Sequence, residues 1–579
     1  MSDPITTVDD KNVDVFNDVT KAQDEQLEFQ QTQHMTAFDT ITGPDALVGI
    51  DAQGAVVDAK HSAGLAVIEQ RQAVPLTGKR LITSKWEYWT FVLFYFNQNG
   101  SPIGGPGGSL RQAMISLSFP DGYMNWAGSR QPTNTVLLDI SGIMFAIQLV
   151  VLFVVGPYAD YGNWRPWVLI SAEVVTWGAE FGMIGIKEKS QWAIANGIWI
   201  VGSLSLNIAQ AFYQATFPSL VRDLPKMIRS EQDVMAGLKT PEEHAELDSY
   251  EKAKLFNLCN IYGSASAVVW FGIAIGISHA IGYATESALI RAYRVLMAYY
   301  TPIIVACTLP FFLVMKWRPG QQVPEGVPLW QVGPRQVWYA AKCAAQLKQC
   351  LLYLAAYFFL FEAIGAYISV FVILQNESIH YSPELNSAMG LVSDLSGGSG
   401  TVIILLLHKR YKWKIKNILF VSAIFSLTPC LWGAIGTWTD VIGFHHVWEF
   451  WLAQVWNLFT AAASSYNVTM ISEVAPANKL FMFYALFNTL SKTSGFIGPF
   501  ITAAIIKRAN GNTNAAFWFL VGLGAISLVL LWFIDTDQAK IDCAKFAERE
   551  ARELYSAEQR AAGKANQLSK GDLEEENAA

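Results

Sequence analysis

The chain has 579 residues, of which 52% are hydrophobic and only 15% charged, with a mean hydropathy of +0.26. Soluble proteins carry about a quarter charged residues, so this composition excludes an ordinary soluble enzyme. A net charge of −7 excludes nucleic acid as a partner, because that needs clustered basic surface.

Residues 1–85 are polar and acidic, lack the apolar core of a signal peptide, and read as a disordered cytosolic tail. Beyond them the apolar residues come in runs of roughly twenty, the length that crosses about 30 Å of hydrocarbon as a helix. The fold class is therefore all-α and polytopic. Twelve membrane spans are predicted, over 86–105, 136–156, 167–186, 192–217, 255–279, 292–316, 351–374, 386–408, 415–436, 447–471, 481–507 and 515–534. Asn97, Gln98 and Asn99, with Gly100 and Pro102 after them, interrupt the first span. Such a break is tolerated where the freed backbone groups face a cavity or a neighbouring helix.

Lys and Arg concentrate in the even-numbered connections, which places both termini in the cytosol. The odd connections carry few, Arg111, Arg130 and Arg291 among them. The glycosylation sequon Asn376-Glu377-Ser378 falls in a predicted lumenal connection, in agreement. Residues 218–254 are expected to form an amphipathic surface helix, 317–349 a cytosolic linker, and 536–579 a solvated cytosolic tail. This divides the chain into an N-terminal six-helix bundle over 86–316 and a C-terminal one over 350–535. The six cysteines fall in helices or on the cytosolic side, so no disulfide framework is expected. No Walker motif, metal-ligand spacing or nucleophile elbow appears, and neither a cofactor, a metal nor catalysis is expected.

Between spans two and three stands Gly156-Pro157-Tyr158-Ala159-Asp160-Tyr161-Gly162-Asn163-Trp164-Arg165. Gly156 would let two helices approach closely, and Asp160 would cap a helix and pair with a basic group. This resembles the loop signature of the major facilitator superfamily, with Tyr161 and Pro166 where that signature has basic residues. A second stretch is Ile471-Ser472-Glu473-Val474-Ala475-Pro476, followed by Lys479-Leu480-Phe481-Met482-Phe483-Tyr484 and Ser491-Lys492-Thr493-Ser494-Gly495-Phe496-Ile497-Gly498-Pro499. It is similar to the autophagy-related protein 22 family of fungal vacuolar effluxers. The resemblance implies a six-plus-six major facilitator fold, multi-pass in the vacuole membrane. It also implies export of amino acids, large neutral ones foremost, by alternating access. Protons are the expected coupling ion, the lipid bilayer the setting, and a monomer the working unit. Gly156, Asp160, Gly162, Arg165 and Glu473 are the expected gating residues.

In such a fold, spans one, four, seven and ten, with two, five, eight and eleven, line a central cavity. Ionisable residues inside a span are costly and mark function by default. Glu362 in span seven and Asp394 in span eight are the proton-coupling candidates. Lys492 in span eleven is the candidate partner of a substrate carboxylate, or the counter-ion of Glu362. The amides Asn97, Gln98, Asn99, Asn207, Gln210, Asn457 and Asn488 complete the candidate substrate site. For any one of them the alternative is an interhelical hydrogen bond worth roughly 0.6 kcal/mol. Glu173 and Glu180 on span three read as structural, and Gly397-Gly398-Ser399-Gly400 as a close helix contact. The rival functions are a carrier of a sugar or another organic solute, and a sensor or scaffold that signals through its tails.

Overall fold

Apolar runs become helices here because a helix satisfies every backbone group within its own segment, which hydrocarbon demands. The computed structural model describes residues 80–96, 101–159, 162–318, 320, 329–411, 413–476, 483, 486–487, 490, 495, 497–549 and 552. The helices belong to one unit, 73–239 with 243–579; the other, 1–72 with 240–242, lies almost wholly outside the described residues.

The N-terminal half comprises α1 (Lys85–Phe94), α2 (Pro106–Ser118), α3 (Thr133–Val155), α4 (Arg165–Ile184), α5 (Trp192–Arg222), the short α6 (Pro225–Met235), α7 (Pro241–Ile281) and α8 (Glu286–Val314). A linker helix, α9 (Leu329–Gln346), leads to the C-terminal half. That half holds α10 (Lys348–Ser378), α11 (Pro383–Tyr411), α12 (Ile415–Ile435), α13 (Val447–Thr460), α14 (Ala462–Val474), α15 (Ile497–Arg508) and α16 (Ala516–Trp532). Among the described residues nine helices are long and apolar enough to cross a membrane: α3, α4, α5, α7, α8, α10, α11, α12 and α16.

The three other expected spans depart from the prediction in instructive ways. The first does not end at residue 105. Pro106 opens a second helix, α2, at a position where a missing N–H costs nothing, and the chain runs on helically to Ser118. Arg111 therefore lies inside a helix and not in a lumenal connection. The tenth is broken at Ala461 into α13 and α14, and much of the eleventh lies outside the described residues. A hairpin, β1 (Tyr123–Trp126) against β2 (Ser129–Pro132), occupies the first lumenal connection, unanticipated by the sequence reading. Its two-residue turn places Ala127 and Gly128 both at positive φ, the geometry that suits strand twist. The amphipathic helix expected within 218–254 is α6, which buries Met227 and Val234.

Within the halves, α4 packs along α5, α1 against α8, α10 against α16, and α11 against α13. The glycine-rich stretch serves the last of these contacts: a Cβ at Gly400 would overlap the Leu458 carbonyl, and one at Gly397 would meet Asn457. Across the halves, α3 packs on α15, with Gly142 seated against the Phe500 ring.

The apolar core has a telling distribution. At the end that the positive-inside bias assigns to the lumen, one cluster contains residues of both halves, including Leu110, Ile140 and Leu296 with Val370, Phe450 and Phe517. At the cytosolic end the core of the described residues falls into two large clusters and a small one around Ile418 and Tyr466, none shared between the halves. One, around Phe91, Tyr213 and Phe311, belongs to the N-terminal half. The other, around Tyr353, Phe487 and Leu531, belongs to the C-terminal half. The latter also takes in Ala340 and Ala344 of α9, and Ala539 and Phe546. Residues 536–549 are thus a docked helix where a partly helical, solvated tail was expected, because Ala539, Cys543 and Phe546 share one face of it.

Candidate functional site

Five helices bring polar side chains together at the lumenal end. Gln112 of α2 donates to the Ile373 carbonyl of α10 (3.0 Å) and accepts from Asn376 Nδ2 (2.7 Å). Asn376 Oδ1 in turn accepts from Asn386 Nδ2 of α11 at 2.7 Å and from the Ser109 hydroxyl at 3.3 Å. Asn386 also donates to the Tyr293 hydroxyl of α8 (3.2 Å), which itself donates to the Tyr381 carbonyl (2.7 Å). Gln454 of α13 donates to Gln375 (2.7 Å), and Gln375 donates to Asn386 (2.9 Å). Asn134 at the start of α3 adds a bond to Thr513 (3.2 Å). Within this network the halves are joined by neutral amides and hydroxyls; beside it Asn134 also bonds the Glu377 carboxyl, and His279 lies 3.6 Å from Glu384.

This network corrects the reading of the sequon. Asn376 is 1% exposed, in the last turn of α10, with its amide spent on Gln112 and Asn386. An asparagine so buried does not accept a glycan in the folded protein. Helix α10 outlasts its expected end at 374, since Gln375 and Asn376 find partners on neighbouring helices and need no water.

The candidate coupling acids lie deeper. Glu362 of α10 is 3% exposed, and neither carboxylate oxygen has a side-chain hydrogen-bond partner among the described residues. It sits against Gly498 of α15, where a Cβ would come 2.5 Å from Oε1. Asp394 of α11 is half-buried and lies near Tyr300 of α8, across the boundary between the halves. Of the amides, Asn207 of α5 donates back to the Ser203 carbonyl of its own helix (2.8 Å), and Gln210 is half-buried one turn on. Asn457 of α13 bridges to α11 through the carbonyl and hydroxyl of Ser393 (3.2 and 3.3 Å) and accepts from Thr460. Glu362, Asp394 and Asn457 thus occupy three different helix contacts. Asn97, Gln98, Asn99, Asn488, Lys492 and Asp160 lie outside the described residues.

The remaining expected gating residues sit at the cytosolic end. Gly162 takes a left-handed φ of 68°, and Arg165 donates to Ser219 of α5 at 3.2 Å. At Gly156 a Cβ would meet nothing within 4 Å among the described residues, so the close helix approach expected there is not what the glycine serves. Glu473 pairs with Lys540 of the docked C-terminal helix at 3.1 Å, while Cys543 Sγ contacts the Val474 carbonyl.

Three groups have partners that the sequence did not reveal. Glu180 of α4, read from the sequence as structural, accepts from the Ser101 hydroxyl at 2.7 Å and so ties α4 to the break ahead of α2. Glu449, in the first turn of α13, accepts from the backbone N–H groups of Gly443, His445 and His446 and from the Trp432 indole. The His446-x-x-Glu449 spacing of a capping box was the available signal. The third is a buried ionic cluster below the N-terminal half. Arg318 reaches Glu87 twice (2.5 and 2.9 Å), Asp223 (3.0 Å) and Thr83 (2.8 Å). Arg80 adds bonds to Asp223 (2.8 Å) and Glu231 (2.6 Å). Burial alone would raise the Asp223 carboxyl, but Arg222, Arg80 and Arg318 outweigh it and hold it below its ordinary value. The cluster clamps the entry of α1, the exits of α5 and α8, and α6.

Comparison with known proteins places this arrangement. A family model described as "Vacuole effluxer Atg22 like" matches residues 98–544. The chain is 23% identical over 468 residues to Autophagy-related protein 22 of Chaetomium globosum, spanning 70% of this chain and 69% of that protein. It is 23% identical over 514 residues to Autophagy-related protein 22-1 of Aspergillus clavatus, spanning 78% and 82%. Among solved structures, the crystal structure of a D-xylose-proton symporter matches with a TM-score of 0.50 at 12% identity, covering 77% of this chain and 96% of that one. At that identity the likeness concerns the fold alone, which is the major facilitator fold.

Proposed function

The chain belongs to the Atg22-like family of vacuole effluxers, and from that premise we propose that it exports amino acids, large neutral ones foremost, from the vacuole to the cytosol by proton-coupled alternating access. It is a multi-pass transporter of the vacuolar membrane. The observation that carries the mechanism is the core, continuous between the halves at the lumenal end and divided at the cytosolic end. Such an arrangement is closed to the lumen and ready to release solute to the cytosol. Its seal is made mostly of neutral hydrogen bonds, each worth about 1 kcal/mol net, so it can open and reclose in every cycle. The moving bodies are the bundles 86–316 and 350–535, joined by the linker 317–349.

Glu362 is the coupling residue in this reading. A carboxyl in the apolar interior with no side-chain partner among the described residues is favoured neutral, and a state change that brings water or a cation to it releases the proton. It touches α15, which packs on α3 of the other half, so its protonation acts on a helix that must move.

The test is amino-acid efflux from isolated vacuoles, with and without the protein and with and without a proton ionophore. Protein-dependent efflux that falls with the ionophore is expected. Glu362→Gln is expected to slow it at least about tenfold and flatten its dependence on lumenal pH. Efflux by Glu362→Gln with unaltered pH dependence would remove the residue from the coupling step. Protein-dependent export of sugars with no amino-acid efflux would transfer the mechanism to another solute.

A further inference from the structure

The most unusual charge in the membrane layer is Arg111. It lies in the second turn of α2, about 10 Å from the lumenal end of that helix at the usual rise, and is 8% exposed. Nη1 donates to Asn196 Oδ1 of α5 and Nη2 to the Ser141 hydroxyl of α3, both at 3.1 Å. The guanidinium stacks on Trp199 of α5, with Cζ 3.6 Å from the ring centroid. Nε has no acceptor, and the indole Nε1 of Trp199, itself 8% exposed, has none either. No acidic side chain pairs with Arg111 among the described residues.

We propose that Arg111, Trp199, Asn196 and Ser141 form a cradle for the carboxylate of the transported solute. The inference rests on the amino-acid reading above for the solute, and on geometry for the cradle. A guanidinium held in an apolar layer without a counter-charge is destabilised by the loss of water, and an arriving anion offsets that cost. Asn196 and Ser141 are neutral, so they orient the fork without cancelling its charge. The Trp199 face fixes its plane and leaves the Nε edge for an incoming carboxylate, a geometry that guanidinium matches and ammonium does not. The vacant indole N–H on the stacked ring supplies a further donor for the same anion. Position is the remaining argument. Gln112, the next residue, is a bond of the lumenal seal, so a ligand at Arg111 and the closing of the gate act through one turn of α2.

The test is equilibrium binding to the purified full-length protein, using leucine, its alcohol leucinol, and its desamino acid 4-methylpentanoate. Wild type is expected to bind leucine at least about tenfold more tightly than leucinol, and to bind 4-methylpentanoate measurably. Arg111→Met should weaken leucine by about tenfold or more and leave leucinol unchanged, with Arg111→Lys between the two. Should Arg111→Met fail to fold, Trp199→Phe keeps an aromatic face for the guanidinium and removes the indole N–H together with one ring. It should weaken leucine about threefold relative to leucinol. Equal binding of leucine and leucinol by wild type overturns the proposal, as does unchanged leucine binding by Arg111→Met or by the folded Trp199→Phe. Binding of 4-methylpentanoate but not leucine, lost in Arg111→Met, would sink the amino-acid reading and keep the cradle. Binding of no carboxylate at all sinks the cradle.

Discussion

Asn376 and Arg318 show how single side chains acquire meaning from partners distant in the chain. Asn376 stands in a sequon, yet Gln112 and Asn386 consume its amide. Treatment with an endoglycosidase is therefore expected to leave the mobility of the protein unchanged. Asn376→Ala should lower stability by about 1–3 kcal/mol, because Gln112 and Asn386 are left buried and unpaired. It should also make a cysteine placed at Ser109 more reactive toward an impermeant maleimide added from the lumenal side. Arg318 neutralises Glu87 and Asp223 together, and Arg318→Ala should cost about 3–5 kcal/mol, read as a fall in thermal midpoint. Asp223 sets the pH dependence of this clamp. Its carboxyl is held below the ordinary value, so it contributes stability above an unfolded pKa of about 3.9 and loses it as pH falls through the lower folded value. Asp223→Asn should thus lower the midpoint at pH 7, and the gap from wild type should narrow only below about pH 4. A gap that narrows near pH 6 would point to a different group.

At the scale of elements, close approach is decided by what faces a glycine. Gly400 on α11 meets the Leu458 backbone of α13, whereas Gly365 on α10 faces open space. Gly400→Leu is expected to cost about 1–3 kcal/mol by forcing the helices apart. Gly365→Ala should be neutral or up to about 1 kcal/mol stabilising, since it relieves backbone entropy without a clash. Comparable midpoints for the two variants would show that the α11–α13 contact is not tight. The docked helix 536–549 makes an analogous case. Its apolar face was present in the sequence, but so were the Lys and Glu residues of a solvated helix. Only the placement of Ala539 and Phe546 against α9 and the foot of α10 distinguishes the two. Phe546→Asp should release this helix and expose it to limited proteolysis.

For the whole molecule, the membrane class and the major facilitator fold were legible in one dimension. Apolar runs of membrane length report themselves, because hydrocarbon tolerates nothing else in a single segment. The Glu473-Val474-Ala475-Pro476 stretch carried the family. Span limits were less legible wherever a polar residue found its partner on another helix. Arg111 and Gln112 looked like the start of a loop, and Gln375 and Asn376 like the end of a helix, because their partners lie far away in the chain.

What the sequence by itself determined is thus the solvent each segment prefers, since hydropathy is a local property and sums along the chain. What only the tertiary structure decided is which polar groups are satisfied. Among the described residues it left Glu362 against Gly498 without a side-chain partner and Arg111 over Trp199 without a counter-charge, while Asn457 was absorbed into the α11–α13 contact. Among the described residues it also gave the halves one shared core at the lumenal end and separate apolar clusters at the cytosolic end. The physical reason is the same in each case: desolvation cost depends on every atom within a few ångström, and those atoms come from helices far apart in the chain.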